Sequence, residues 1–332
     1  MRLGTQSKME VVNSEIAWAN HWDHFLARIG INRGGHIVKP GLYALGKPSP
    51  DSPVFVTANY TLSFDALRSS LKGMDCYIMV LDTKGVNVWC AAGKGTFGTC
   101  EVVRRIEATM LEKVVRHRKL LLPQLSASGV SAFDVKKRSG FNVEFGPLRA
   151  RDIPAFMKNG RATLEMRTVR FDLKDRIILI PVEIQQVLLP MFAAALMVYF
   201  LGGYLNTIAV LTAVLEGTAL FPMLLPWIPT KDFTTKGFIL GILVAIPFLL
   251  VVFAGSQFSA LWMKLASAST YAMLMAPVTS YLALNFTGST PFTSRSGVRR
   301  EISRYIPFLV IVLVIGITLN VVLFLIRYMG AS

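Results

Sequence analysis

Cysteine is scarce in this chain. Only three are present in 332 residues, Cys76, Cys90 and Cys100, and no two are spaced as Cys-x-x-Cys. A structural zinc site of the finger type and an iron–sulfur cluster are therefore not expected from this chain. Acidic residues are also few: 20 Asp+Glu against 35 Lys+Arg leave a formal net charge of +15. The basic excess lacks the aromatic interleaving of an RNA-binding surface and lies beside apolar runs. It argues against nucleic acid as a partner and for a lipid bilayer. Met1–Val12 has no apolar core and is not expected to be a signal peptide.

Apolar residues, by contrast, make up 53% of the chain, too many for one soluble domain. The character changes near Arg176, after which charges nearly vanish. Five stretches there are long enough to cross a bilayer, near 184–203, 205–226, 237–257, 262–284 and 306–326. Lys and Arg set the expected orientation. They collect before the first span (Arg161, Arg167, Arg170, Lys174, Arg176), after the second (Lys231, Lys236) and after the fourth (Arg295, Arg299, Arg300, Arg304). The expectation is a multi-pass protein of the cytoplasmic (inner) membrane with its first half in the cytoplasm and its C-terminus outside. Glu216 falls inside the second span, where a carboxylate is either a functional group or one bonded within the bundle. Gly237-Phe-Ile-Leu-Gly241 matches a helix-packing motif.

The first half reads as a preamble over 1–47, an α/β domain over 48–160 and a linker over 161–183, ahead of the membrane domain at 184–332. The preamble holds an amphipathic helix around Ile16–Ile29. His21 and His24 there make one His-x-x-His pair, which with Asp23 is more often a helix face than a metal site. From Lys47-Pro-Ser-Pro-Asp-Ser-Pro53 onward, strands alternate with helices. Strands are expected at Val54–Ala58, Tyr77–Asp82, Lys119–Pro123 and Asn142–Phe145. Helices are expected from a Ser63 cap to Leu71, over Thr99–Arg116, Val130–Arg138 and Ile153–Lys158. The pattern predicts an open parallel sheet of Rossmann-like α/β class, with ligands at the carboxyl ends of its strands. Two loops sit there, Thr57–Ser63 and Gly85–Thr99.

The second loop contains two nucleotide-binding patterns that fail on context. Gly93-Lys-Gly-Thr-Phe-Gly98 spells G-x-G-x-x-G, but Asn87–Ala92 separates it from its strand and no acidic residue closes the next strand. A P-loop would need glycine where Val88 stands and Ser or Thr where Gly95 stands. Asn87 suits an N-cap, and Val88–Lys94 a short helical turn ending on glycine. Cys90 then occupies the third helical position, where unpaired N–H groups favour a thiolate. Ala91, Ala92 and Gly93 leave room for a flat ligand to approach the backbone, and Trp89 supplies an aromatic surface. The residues alone allow an axial metal ligand, a nucleophile or an inert buried thiol. A nucleophile would need a base, and His117 lies at the far end of the next helix.

Asn87-Val-Trp-Cys-Ala-Ala-Gly-Lys94 resembles the cap-helix signature of the HgcA family, the corrinoid proteins of bacterial and archaeal mercury methylation. The resemblance extends over Pro40-Gly-Leu-Tyr-Ala-Leu-Gly46, Val56-Thr-Ala-Asn-Tyr60, Leu81-Asp-Thr-Lys-Gly85, Leu122-Pro-Gln-Leu125 and Gly146-Pro-Leu-Arg149, with a five-span tail. It implies that Cys90 ligates the cobalt of a base-off corrinoid from the lower face. It also implies corrinoid contacts from Thr57, Asn59, Asn87, Val88, Trp89, Ala91, Ala92, Gly93, Lys94, Gly95 and Thr96. The histidine-ligated cobalamin signature Asp-x-His-x-x-Gly is absent around His21, His24, His36 and His117.

The implied activity is a corrinoid-dependent methyltransferase that passes a methyl group from thiolate-ligated methylcobalt to Hg(II), giving methylmercury. Hg(II) is a soft electrophile, and a thiolate trans to the methyl group gives that group the carbanion character it requires. The implied partners are an upstream methyl-donor protein and, as electron donor, HgcB, a small ferredoxin with two four-iron clusters. The alternative is a corrinoid methyl carrier of one-carbon metabolism, like the related corrinoid iron–sulfur protein of the acetyl-CoA pathway. A third reading is a transporter with a cytoplasmic sensing domain.

Overall fold

The structure is a computed structural model and describes residues 9–32, 34–256, 258–289 and 295–329. The reading of Met1–Val12 lies largely outside them, as does the side chain of Arg295. Two compact units divide the chain, Met1–Arg170 and Phe171–Ser332.

The first unit is built on a six-stranded sheet. Its elements run β1 (Glu10–Val12), α1 (Trp18–Arg28), β2 (Gly41–Leu45), β3 (Val54–Ala58), α2 (Thr61–Ser70), β4 (Cys76–Leu81), α3 (Val88–Lys94), α4 (Thr99–Ala108), α5 (Leu111–Val114), β5 (Lys119–Leu122), α6 (Ala132–Ser139), β6 (Asn142–Phe145), α7 (Ile153–Asn159) and α8 (Leu164–Arg167). The strand order is β1-β2-β4-β3-β5-β6. Every pair is parallel except β2 with β4, which runs antiparallel with Tyr43 opposite Ile78, so the sheet is mixed rather than wholly parallel. The expected preamble in fact supplies β1, α1 and β2.

β3 and β4 are buried along their whole length, as central strands covered on both faces must be, which is why they read as unbroken apolar runs. Val54, Val56 and Met79 pack on one face with Val102, Val103 and Ile106 of α4 and Val135 of α6. Phe55, Ile78 and Val80 pack on the other with Phe64, Leu67 and Leu71. Helix boundaries differ from expectation at two points. α2 begins at Thr61 with Tyr60 at its cap position, so Ser63 is already helical. α4 stops at Ala108 because Met110 takes a left-handed φ of 47°, and α5 follows as a separate turn.

Chain direction around β3 positions the site. The connection from β3 runs through α2 on one face to β4; the connection from β5 runs through α6 on the other face to β6. The carboxyl ends of β3 and β5 therefore flank a topological switch point, where such sheets open a crevice.

The second unit is helical: α9 (Leu173–Ile177), α10 (Ile180–Leu215), a π turn (Glu216–Leu220), α11 (Phe221–Leu224), α12 (Phe233–Gly255), α13 (Leu261–Leu284) and α14 (Arg295–Met329). Among the described residues three segments are long and apolar enough to cross a membrane, Leu173–Leu224, Phe233–Gly255 and Ser296–Arg327. The first is not one straight rod. Gly203 has φ 73° and ψ −173°, a conformation open in practice only to glycine. Arg176 Nη1 donates to the carbonyls of Pro222 and Met223, 46 and 47 positions on, which requires the chain to fold back between them. The expected spans at 184–203 and 205–226 are the two arms of that hairpin. α13, the fourth expected span, is not one of those three segments; it is the most buried of the long helices and carries the polar Thr270, Thr279 and Ser280.

Gly237 and Gly241 do what the packing motif predicts. A Cβ on Gly241 would lie 2.5 Å from Ala276 Cα and one on Gly237 2.7 Å from Ser280 Cα, so only glycine lets α12 approach α13 this closely. Glu216 is buried in the π turn, and its Oε2 accepts from Thr279 Oγ1 at 3.2 Å. The basic segments gather at one end of this unit. Lys236 donates to the carbonyls of Leu225 and Ile228, Glu301 accepts from Thr234 N and Oγ1, and Tyr305 donates to Asp232.

Candidate functional site

The loop after β4 is held before it reaches α3. Asn59, at the carboxyl end of β3, accepts on its single Oδ1 from Thr83 N at 3.0 Å, Thr83 Oγ1 at 2.8 Å and Gly85 N at 3.0 Å. Asp82 takes Lys84 N and Nζ at 3.2 and 2.9 Å. The Lys84 hydrogen bond holds the Asp82 carboxyl below its ordinary range, against the smaller opposing effect of burial. The turn is thus fixed at both ends, and Asn87 starts α3 from it.

Asn87 Oδ1 accepts from Cys90 N at 2.9 Å, and α3 ends on Gly95 in the left-handed region, φ 83°. Over seven residues the helix presents two faces. Val88, Ala91 and Ala92 turn inward and join the core with Phe97 and Val102. Cys90 is half-buried and shares the outer side with Asn87, Gly93 and Lys94. Ala91 and Ala92, expected to leave room for a ligand, are both packed into the core. Their small size serves the inner side, where Gly129 passes so close that a Cβ would stand 2.4 Å from Phe97 O and 3.0 Å from Ala92 Cα.

Beside α3 lies a mostly apolar cleft of about 360 Å³ at the switch point. Phe55, Val56 and Thr57 of β3 and Leu121 and Leu122 of β5 form its floor. Asn87, Val88 and Trp89 form one wall, and Gly146–Leu148 with Ile153 another. Its size falls in the range of small-molecule sites.

Of the candidate site residues, Thr57, Asn87, Val88 and Trp89 line the cleft. Cys90 stands next to it on the same helix. Asn59 is buried, with its oxygen committed to the Thr83–Gly85 turn, and is a brace for the loop. Thr96 Oγ1 lies 3.4 Å from Ala91 O, and Gly95 is the helix stop. Sequence reasoning left out Pro123, Leu125 and Gly146–Leu148. Their signal was available, since they follow β5 and β6 at the carboxyl edge where ligands of such sheets bind.

The three cysteines separate by environment. Burial, aided by the charge of Asp75, pushes the Cys76 thiol up to about 12, which makes it inert at neutral pH. Cys100 is exposed, with Arg138 Nη1 at 3.4 Å. His117 bonds the Ser52 carbonyl ahead of β3, at the amino end of the strands, so it gives Cys90 no base. Nor do His21, His24 and Asp23 form a metal site. His24 bonds Asp65 at 2.8 Å, Asp23 bonds His36 at 2.7 Å, and the described residues contain no group of three potential ligands.

The CdhD family, described as the CO dehydrogenase/acetyl-CoA synthase delta subunit, matches residues 33–157. That stretch contains β2 through most of α7, with the whole cleft and Cys90. Among curated proteins the chain is similar to the acetyl-CoA decarbonylase/synthase complex subunit gamma of Methanopyrus kandleri, 35% identical over 131 residues, 39% of this chain and 28% of that protein. The gamma subunit of Archaeoglobus fulgidus is 34% identical over 123 residues, 36% of this chain and 26% of that protein. The one from Methanocaldococcus jannaschii is 30% identical over 124 residues, 37% and 25% of the two chains. The chain spans about a quarter of the length of these curated relatives. These matches favour the acetyl-CoA-type relative and do not single out the HgcA family.

Proposed function

We propose that the α/β unit binds a corrinoid and carries a methyl group for one-carbon metabolism of the acetyl-CoA decarbonylase/synthase type. The observation that carries this reading is the placement of Cys90, on the outer side of an Asn87-capped turn, next to the apolar cleft at the switch point. The donor set fits. A corrin ring brings most of the cobalt's ligands itself, so the single Cys90 thiolate would be enough to hold it and no cluster of ligating side chains is required. Cys90 would hold the cobalt in place of the cofactor's own base, and Thr57, Asn87, Val88 and Trp89 would line the space beside it.

When bound, the corrinoid supplies the cobalt at which methyl transfer takes place. The chain's own residues do the positioning. Asn87 and the braced Thr83–Gly85 turn aim the Cys90 Sγ, while Ala91, Ala92 and Gly129 clamp α3 to the core. Trp89 gives the cleft an aromatic wall next to the thiol-bearing residue. The relatives act as subunits of a complex, so protein partners are part of this reading: an upstream methyl-donor protein, and an external electron donor such as a ferredoxin.

A second reading rests on one feature, Cys90 within Asn87–Lys94. With Cys90 as its ligand, the cobalt would supply a methyl group suited to a soft acceptor, so Hg(II) is the proposed acceptor in that case. For the second unit we propose five membrane crossings, the hairpin arms of 173–224 counting as two, with the α/β unit on the side of the basic segments.

Reconstitution of the full chain with cobalamin tests the first reading. Corrinoid absorbance should persist through gel filtration in wild type and change position in Cys90→Ala; wild type that retains no corrinoid overturns it. Methylmercury formation in a host given this gene and a ferredoxin with two four-iron clusters tests the second. Full-rate methylation by Cys90→Ala sinks the thiolate mechanism.

A further inference from the structure

α1 is amphipathic the wrong way round. Its inner face is polar and satisfied: His24 bonds Asp65, and Asp23 takes His36 Nδ1 at 2.7 Å and Thr61 Oγ1 at 2.6 Å. Its large apolar residues point outward, with Trp18 77% exposed and Trp22 and Phe25 50% each. The rings form a continuous ladder. Trp18 and Trp22 stack with centroids 6.0 Å apart and planes within 3°, and Trp22 stacks on Phe25 at 5.4 Å.

Beyond their own stacking, the described residues leave most of Trp18 and half of Trp22 and Phe25 uncovered. We infer that this ladder is a membrane-interface anchor, which lays α1 on the bilayer surface at the depth of the lipid headgroups. The inference rests on the reading that the second unit is embedded in a membrane. Three observations select lipid as the occupant. Trp is the residue type that settles at the membrane–water boundary, with its ring in the acyl region and its N–H toward water. The outward side of α1 carries His21 and Arg28 and no carboxylate, because Asp23, the helix's one acid, is turned inward; such a face suits anionic headgroups. The exposed area is also too small for a protein pair. Rings that bury about 150–250 Å² each when covered leave roughly 300–400 Å² here, half of the ~800 Å² per partner that a stable interface needs.

The test uses the full chain in nanodiscs of mixed neutral and anionic phospholipid. A W89F/W227F/W262F variant leaves Trp18 and Trp22 as the only emitters. Lipid brominated near the headgroup end of the acyl chain should reduce their emission by about twofold, and lipid brominated near the chain terminus by clearly less. A companion variant, W18F/W22F/W89F/W227F, keeps Trp262 at the start of α13 and reports on the second unit alone. If Trp262 is quenched and Trp18 and Trp22 are not, the anchor is wrong and the membrane reading stands. If neither is quenched, both fall. Wild-type chain irradiated with a photoactivatable phospholipid gives the same answer without substitutions. Label on the Trp18–Arg28 peptide supports the anchor, whereas a cross-link between two copies at that peptide, or no label beside labelled α12, overturns it.

Discussion

Asn87 accepts the Cys90 amide on its Oδ1 at 2.9 Å, so the residue that starts the cap helix also fixes the residue that carries the thiol. A seven-residue helix has no stability of its own to spare. Its geometry depends on this cap at one end, Gly95 at the other and the Ala91–Ala92 face packed beneath it.

Asn87→Ala should therefore cost about 1 kcal/mol of local stability. Passed through to the bound state, that is about a fivefold weaker hold on cobalamin. Exchange of the Cys90 amide should quicken, while Asn87→Ser, which can still cap, should stay near wild type. Equal affinity in all three chains would mean that the cap does not set the thiol.

Asn59→Ala removes one oxygen from three donors in a buried turn. Leaving the Thr83 and Gly85 donors unpaired should cost about 2–4 kcal/mol. Hydrogen exchange over residues 82–88 should rise well before that of β3. Asn59→Asp keeps an acceptor and should lose less. A chain that loses corrinoid binding with no change in exchange would restore Asn59 to the role of a direct contact.

This residue also marks where sequence reading ran out. β3 and β4 were legible because two-sided burial writes an unbroken apolar run into five or six residues. β1 and β2 were not: β1 is a three-residue edge strand, and β2 is only partly buried at Gly41 and Leu42 and pairs antiparallel with β4. In α3 the cap at Asn87 and the position of Cys90 were readable from residue types alone. Which way Ala91 and Ala92 face was not, because a seven-residue helix is too short for periodicity to decide. The partners of Asn59 lie 24 and 26 positions away, a pairing that exists only once β3 and β4 lie side by side.

Gly129 had no place among the candidate residues, yet it sets how near the loop after β5 comes to α3. A methyl group there meets backbone atoms, Phe97 O at 2.4 Å and Ala92 O at 3.0 Å, which cannot turn aside as a side chain could. Gly129→Ala should cost about 1–3 kcal/mol and weaken cobalamin binding by displacing α3. Denaturant titration of the full chain, run beside a corrinoid retention assay, checks both halves; wild-type values in both would show that the loop yields freely.

Asp23 ties α1 to the unit through Thr61 and His36. Burial alone would raise its carboxyl, but the hydrogen bonds from Thr61 and His36, with the charges of His36 and His24, hold it below the ordinary 3.8. A carboxyl depressed in the folded state stabilises above its unfolded value and loses that contribution as pH falls through its folded value. The contribution of Asp23 to the docking of α1 should therefore be fully present above the ordinary aspartate range and be lost below it. Because Asp23 is partly open to water the effect is modest. The exciton-coupled circular dichroism of the stacked Trp18–Trp22 pair reports it. In Asp23→Asn the signal should be weaker at neutral pH and lose this acid step; an acid step of unchanged size would assign it to another group.

Gly203 makes the sharpest claim about the second unit. Its φ of 73° with ψ of −173° lies where a side chain collides with its own backbone, a strain on the order of 1–3 kcal/mol for any other residue. The reversal it allows brings Arg176 to the carbonyls of Pro222 and Met223. Gly203→Ala should therefore lower the thermal stability of the detergent-solubilised chain and loosen both arms together, whereas Gly255→Ala, with open space around the new methyl group, should not. The same hairpin predicts sidedness. Tyr204 follows the turn, while Lys231 lies at the end where Lys236 and Glu301 are bound. In intact cells an impermeant maleimide should label Tyr204→Cys from outside. It should reach Lys231→Cys, and the exposed native Cys100, only after lysis. Labelling of positions 204 and 231 from one side would break the five-crossing proposal, because the two ends of the second arm would then share a compartment.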